Sequence, residues 1–370
     1  MNVLIVSTEP TPYKTDLYNA LNSNFDNMLV YYSSEKSWCW DAGHNYLEFP
    51  RRSYSYFIAS SKNFIRQIFS AFKLIFVFLF FKPDKVLICT YNRLPFITAI
   101  MLSWIKRIPF VVWDDHFNTG FTVMKGFLPN MLRGWMRRFI FKYSQRVLVC
   151  GSFGRMTAIQ VGCPETKIVN FPYVVDYIRM HKEANLVNQL IDCKAPIILF
   201  SGRFIERKGF PILIEALKYL KDYYYFTLVV EGDGPCKSKY INLVNSAGLA
   251  KRVFFTGFLQ MTNHSKIISE ADIIVVPSLS DPWGIVVQEG LGFGKIVIAS
   301  NAVGSAIDFI DHGVNGFIFK TGDILDLTEK LNYILNNISK LHFIKKNAVA
   351  SASQINPDIN AAILSKIFFD

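Results

Sequence analysis

Short unbroken apolar runs alternate with segments of helical period along almost the whole of this chain. Apolar runs of that kind belong in strands buried on both faces, and parallel neighbours must be joined by crossovers, usually helices. In the first half the strand candidates are Val3–Ser7, Lys85–Cys89, Phe110–Trp113 and Arg146–Cys150. In the second half they are Ile197–Ser201, Thr227–Glu231, Val253–Thr256, Ile273–Pro277, Ile296–Ser300 and Gly316–Phe319. Helical segments such as Leu94–Lys106, Phe210–Leu220, Lys237–Ala247, Asn263–Glu270 and Gly284–Gly292 lie between them. The expected fold class is α/β, with two doubly wound, Rossmann-like domains facing each other across a cleft.

A length of 370 residues suits two cores better than one. The alternation weakens between Phe171 and Pro196, which places a linker at 173–195 between domains at 1–172 and 196–345. Residues 346–370 read as a helical tail packing back on the first domain. Six scattered cysteines without a CxxC pair indicate buried thiols in a reducing compartment, not a disulfide framework or a zinc site. The start, MNVLIVSTEP, lacks a charged leader and reads as a first strand, so the expected location is the cytoplasm.

The net charge of +11 is unevenly distributed. Residues 1–172 hold 20 Lys and Arg against 10 Asp and Glu, whereas residues 173–370 hold 20 against 19. On a helix, Lys62, Arg66 and Lys73 fall within roughly 40° of one another, with Ile65, Ile68, Phe72 and Ile75 broadly opposite. Such a stretch either lies on an anionic membrane surface or packs its apolar side on its own sheet. The eight apolar residues between Lys73 and Lys82 fall far short of the roughly 20 that cross a bilayer. No nucleic-acid-binding motif accompanies the basic surface, so nucleic acid is not an expected partner.

Four loops of the second half follow predicted strands. In SGRFIERKGF, Arg203 and Lys208 lie near a helix start, where two cations and backbone amides suit a diphosphate, although a solvated basic turn has the same composition. In VVEGDGPC, Gly232 and Gly234 flank Asp233, but no third glycine completes a dinucleotide fingerprint, which disfavours a dehydrogenase. Gly257 in FFTGFL ends a strand and either exposes backbone to a flat base or makes a simple turn. In SLSDPWGIVVQEGLG, Asp281 lies on the loop, the amides of Gly284, Ile285 and Val286 open a helix, and Glu289 follows about one turn in. That spacing suits hydroxyls of a transferred group at Asp281, phosphate at the amides and a ribose diol at Glu289. A helix cap and a solvated helix residue are the ordinary alternatives for the two acids.

Taken in order, Arg203 with Lys208-Gly209, EGDGP, FTGF, SDPWGIVVQEGLGFGKIVIAS and HGVNGFIF resemble the donor domain of retaining glycosyltransferases of the GT-B fold, family 4. The resemblance is close over about residues 196–320 and loose in the first half. It implies transfer of a sugar from a nucleotide diphosphate sugar with retention of configuration, without a metal or a further cofactor. It implies diphosphate at Arg203, Lys208 and the amides around Gly284 and Ile285, ribose at Glu289, and donor sugar near Asp281. Relatives more often carry Glu at the first acidic position and Ala where Gly290 stands, a change expected to loosen the helix slightly.

The first half resembles the family in two places. TPYKTDLYNAL is similar to the loop and helix after the first strand, which implies that Tyr13 and Lys14 face the cleft on the acceptor side. FVVWDDHFN is similar to the segment that places a histidine beside the transferred sugar, which implies that role for His116, with Asp115 fixing its tautomer. The implied acceptor is a glycan or lipid-linked glycan of cell-surface polysaccharide or lipopolysaccharide biosynthesis, reached by an enzyme held peripherally at the inner membrane face. The alternatives are a nucleotide-sugar hydrolase or epimerase on the same fold, and a non-catalytic membrane-binding protein.

Overall fold

The computed structural model describes residues 1–34, 52–59, 64–115, 117 and 127–369. They divide into two units, the first built from the described residues of 1–174 and 357–369 and the second from 175–356.

The first unit is a seven-stranded parallel sheet: β1 (Asn2–Ser7), β2 (Asn27–Tyr32), β3 (Ser55–Ile58), β4 (Lys85–Cys89), β5 (Phe110–Asp114), β6 (Arg146–Val149) and β7 (Ile168–Asn170), in the order β3-β2-β1-β4-β5-β6-β7. The second is a six-stranded parallel sheet: β8 (Ile197–Ser201), β9 (Thr227–Glu231), β10 (Val253–Gly257), β11 (Ile273–Val276), β12 (Ile296–Ser300) and β13 (Phe317–Phe319), in the order β10-β9-β8-β11-β12-β13. Both orders reverse direction beside the first strand of the unit, the arrangement that opens a crevice at the strand carboxyl ends. The central strands are apolar because both faces are covered: Leu4, Val6, Val86 and Ile88 are fully buried in the first unit, and Ile198, Leu199, Ile273 and Ile274 in the second.

Strands β2, β3 and β7 were not among the expected ones, because NMLVYY, SYFI and IVN are short, or mixed with polar neighbours. Residues 173–195, read as a linker, contain the helix Tyr177–Ala184, whose Met180 and Ala184 are buried in the second unit beside Val287 and Leu291. Within 346–370 the chain belongs to both units. The helix His342–Ala352 packs Ala348 and Ala352 into the second, and Pro357–Phe369 lies on the first. That last helix is pinned by side-chain bonds from Asn360 to Pro172 O (2.7 Å), Asn24 to Ser365 Oγ (2.8 Å) and Gln145 to Ile367 O (2.8 Å).

One side of the first sheet carries the helices Phe64–Phe80, Leu94–Ile105 and Phe127–Tyr143, which share a core through Leu74, Phe78, Phe96, Ile100, Met136 and Ile140. The helix 64–80 buries the arc of Ser70, Ala71, Leu74 and Phe78. Ile65 and Phe72, placed opposite the cations by the sequence reading, do not pack on the sheet: they are 66% and 59% exposed, in line with exposed Phe69, Phe76 and Phe80. The apolar and basic arcs of this helix adjoin, and both face outward. Among the described residues no helix is long and apolar enough to cross a membrane.

Candidate functional site

The candidate site lies at the carboxyl ends of the second sheet, where loops after β8, β9, β10, β11 and β12 are tied together by backbone hydrogen bonds. Gly202 N–H donates to Glu231 O (3.1 Å), Phe204 N–H to Asp233 O (2.9 Å) and Gly232 N–H to Gly257 O (2.9 Å). Leu279 N–H donates to Arg207 O (2.7 Å), and Asp281 N–H to Ala302 O (3.0 Å). Chain reversal at this edge depends on glycine. Gly209 has φ 67°, and a Cβ there would stand 1.8 Å from Pro277 O, so the loops after β8 and β11 touch through a position no other residue can fill.

Asp281 is buried and paired. Its Oδ2 lies 2.6 Å from Lys208 Nζ, and its Oδ1 lies 3.8 Å from Arg207, whose guanidinium also donates to Ser280 O at 2.8 Å. The structure therefore adds Arg207 to the cations expected here, while Arg203 stands half-buried on the same loop. Asp281 is not a helix cap: Gly284 holds that position with φ 79°, and no side chain caps the helix Ile285–Gly292. The first turn, including the amides of Ile285 and Val286, meets no capping side chain, which suits an anion. The loop before it is braced by Ser305 Oγ–H donating to Gly284 O (2.8 Å) and Trp283 Nε1–H to Gln288 (2.8 Å).

Glu289 is not a solvated helix residue; it is 7% exposed. Its Oε2 lies 3.2 Å from His264 Nε2, an ion-pair contact off the line of a good hydrogen bond, and His264 Nδ1 lies 2.7 Å from Glu231 Oε1. Burial opposes charge on the imidazole, but Glu231 and Glu289 outweigh it and hold the His264 pKa well above its ordinary value. His264 and Glu231 were not singled out from the sequence. Three residues separated by 33 and 25 positions form a cluster only because β9 and two helices converge.

The remaining donor-side positions are accounted for locally. Asp233 accepts from Gly234 N–H (2.7 Å) and pairs with Lys237 at 3.3 Å, so its carboxylate shapes the turn. A Cβ on Gly257, at φ 73°, would meet nothing within 4 Å, leaving open space beside that backbone. Beside the loosening expected of Gly290, the structure gives it a packing role: a Cβ there would lie 2.8 Å from both Ile274 Cδ1 and Val297 Cγ2, so glycine lets the helix sit close on β11 and β12.

In the first unit, Lys14 is buried and its Nζ donates to Thr8 Oγ1 at 2.7 Å. Tyr13 meets Tyr173 edge to face at 4.9 Å. Asp115, expected to orient a histidine, accepts the Tyr173 hydroxyl. His116 and Lys62 lie outside the described residues.

Comparison with known proteins follows the same division. Residues 181–350 match the family model for glycosyl transferases group 1. The lipopolysaccharide core biosynthesis glycosyltransferase LpsD of Rhizobium meliloti is 40% identical over 29% of this chain and 30% of its own length. The N,N'-diacetylbacillosaminyl-diphospho-undecaprenol alpha-1,3-N-acetylgalactosaminyltransferase of Campylobacter jejuni is 26% identical over 67% of each chain. The chain spans about a third of the length of several curated relatives it matches, LpsD at 30% and LpsE at 36% among them. Among solved structures, Anabaena HepE in complex with UDP and glucose has a TM-score of 0.77 at 19% identity, covering 99% of this chain and 98% of that one. WaaG, a glycosyltransferase involved in lipopolysaccharide biosynthesis, has a TM-score of 0.65 at 14% identity, covering 99% of each.

Proposed function

We propose, because residues 181–350 match the family model for glycosyl transferases group 1 and the chain has the fold of GT-B glycosyltransferases, that this protein moves a sugar from a nucleotide diphosphate sugar to a glycan or lipid-linked glycan acceptor, with retention of configuration. The observation that carries the reading is the convergence at one sheet edge of Lys208, Arg207 and Asp281, an uncapped helix start at Gly284, and buried Glu289. Breaking the bond between the anomeric carbon and the diphosphate builds negative charge on the leaving group. Arg203, Lys208 and the amides of Ile285 and Val286 answer that charge from fixed positions, usually the largest single contribution to catalysis. Glu289 receives the ribose diol, and Asp281 the hydroxyls of the sugar. In the first unit, Tyr13 and Lys14 serve the acceptor side and His116 the transferred sugar.

A glycan or lipid-linked acceptor in cell-surface polysaccharide or lipopolysaccharide synthesis is supported by the relatives, whose names carry lipopolysaccharide core biosynthesis and a diphospho-undecaprenol acceptor. The test is a screen of nucleotide sugars for thermal stabilisation, followed by the best donor with a lipid extract and product analysis. Stabilisation by one donor, then transfer to lipid, is the expected result. No shift with any donor sinks the reading, and nucleotide release with water as sole acceptor favours a hydrolase on the same fold.

A second observation supports peripheral attachment to an anionic membrane. On the helix 64–80, Ile65, Phe69, Phe72, Phe76 and Phe80 point outward beside Arg66 and Lys73. The neighbouring helices add exposed Trp104 and Trp135. Exposed aromatics flanked by cations suit a bilayer interface, where rings enter the headgroup region and cations meet anionic lipid.

A further inference from the structure

We propose that His264 is a positioning residue for Glu289: braced from behind by Glu231, its ring fixes the carboxylate that receives the nucleotide's ribose, and so ties donor affinity to pH. This rests on the ribose reading of Glu289. The observations are geometric. Glu231 ends β9, His264 lies on the helix Met261–Glu270, and Glu289 on the helix Ile285–Gly292. Both ring nitrogens face carboxylates, Nδ1 at hydrogen-bond distance from Glu231 (2.7 Å) and Nε2 in an ion-pair contact with Glu289 (3.2 Å), and only a doubly protonated imidazole turns an N–H toward each. A neutral ring would turn one lone pair toward a carboxylate oxygen. Glu231 Oε2 and Glu289 Oε2 are buried without a hydrogen-bond partner among the described residues, so the cluster keeps acceptor capacity. Two carboxylates and one cation leave a net negative site suited to hydroxyl donors, not to phosphate.

The other charged groups around the cluster pair elsewhere, and the Tyr177 hydroxyl is buried without a hydrogen-bond partner among the described residues. From the helix Tyr177–Ala184, Glu183 pairs with Arg179 at 2.7 Å and accepts from Ser265 Oγ–H at 3.1 Å. Tyr177 is kept neutral by burial and then by the Glu289 charge, both of which raise its pKa. On the histidine's own helix, Lys266 pairs with Glu270 at 3.7 Å. His264 is therefore the group through which rising pH reaches Glu289, and its deprotonation withdraws the positive charge that holds the carboxylate in place.

The test uses the full chain. UDP, GDP and ADP are titrated calorimetrically, and the one that binds is compared with its 2′,3′-dideoxy counterpart from about pH 6 to pH 10, starting near the ordinary imidazole range and running upward. Wild type is expected to prefer the ribose form at neutral pH and to lose that preference in alkaline solution. His264→Leu is expected to bind the ribose form about tenfold more weakly, the scale of losing one close charge partner of a buried carboxylate. It should bind the dideoxy form unchanged and show no alkaline fall. Glu231→Gln, which keeps the shape, is expected to bring the fall to lower pH. Equal weakening of both nucleotides in His264→Leu, or an unmoved profile in Glu231→Gln, overturns the proposal. If wild type binds none of the three, or does not distinguish ribose from dideoxyribose, the ribose reading itself falls and takes this one with it.

Discussion

Lys208 Nζ stands 2.6 Å from Asp281 Oδ2, so a cation assigned to phosphate and a carboxylate assigned to sugar neutralise each other. The pair is largely shielded, with side chains 17% and 8% exposed, and Arg207 reinforces it from 3.8 Å. Engaging a diphosphate then means exchanging one anionic partner of Lys208 for another, which releases Asp281 toward hydroxyls. Binding and turnover should therefore respond differently to the two residues.

Removal of the cation, in Lys208→Met, is expected to weaken nucleotide diphosphate binding and to lower kcat by about a hundredfold, near 3 kcal/mol of lost transition-state stabilisation. Asp281→Asn should lower kcat comparably while binding the nucleotide diphosphate as tightly as wild type or tighter, because Lys208 is no longer neutralised. Calorimetric affinities beside single-turnover rates separate the two. Equal loss of affinity in both variants would contradict the exchange.

Gly290→Ala should destabilise the second unit by about 1 kcal/mol. Alanine favours a helix over glycine by roughly 1 kcal/mol, but overpacking typically costs 1–3. The new methyl would press on Val297, whose branched side chain has little freedom to move aside. Urea denaturation measures the difference, and a more stable variant would show that the helix can lift off the sheet at no cost.

The exposed stripe on the helix 64–80 predicts a separation of membrane affinity from stability. Phe72→Ser with Phe76→Ser, and independently Lys73→Glu, should reduce co-sedimentation with phosphatidylglycerol vesicles severalfold while leaving Tm unchanged, since these side chains contribute little to the core. Unchanged partition in the phenylalanine pair would remove the membrane reading of this face.

Lys295 supplies a stability signature in alkaline solution. Burial lowers its pKa to about 8, with Lys345 adding to the depression and Asp272 and Glu270 opposing it, while its Nζ donates to Ser269 O at 2.7 Å. The unfolded chain keeps the proton up to the ordinary lysine range, so between about pH 8 and pH 10 the unfolded state binds more protons and folding stability rises with pH through this group. Below that window the penalty is fully present. Denaturant unfolding at several pH values should show Lys295→Met lacking this increment, worth about 2 kcal/mol. Identical pH profiles would refute the assignment.

The amino-acid sequence by itself determined the parallel α/β architecture, because runs such as IVIAS and ILFS are too apolar to be covered on one side only. It also determined the ends of β8, β9 and β12, where Ser201, Glu231 and Ser300 close the apolar runs. Strands β3 and β7 escaped it as short edge strands that gain their stability from neighbours, and β2 because its run NMLVYY opens on a polar residue and sits among polar neighbours. The order of loops after β8, β9, β10 and β11 marked out Lys208, Asp281, Gly284 and Glu289, because strand ends in a doubly wound sheet share one edge. Which of these side chains touch is a property of three-dimensional packing. Lys208 and Asp281 are 73 positions apart, and Glu231, His264 and Glu289 come from three different elements. The same holds for the outward face of the helix 64–80: periodicity assigns residues to arcs, but only the packed core shows which arc was buried and which two were left to solvent.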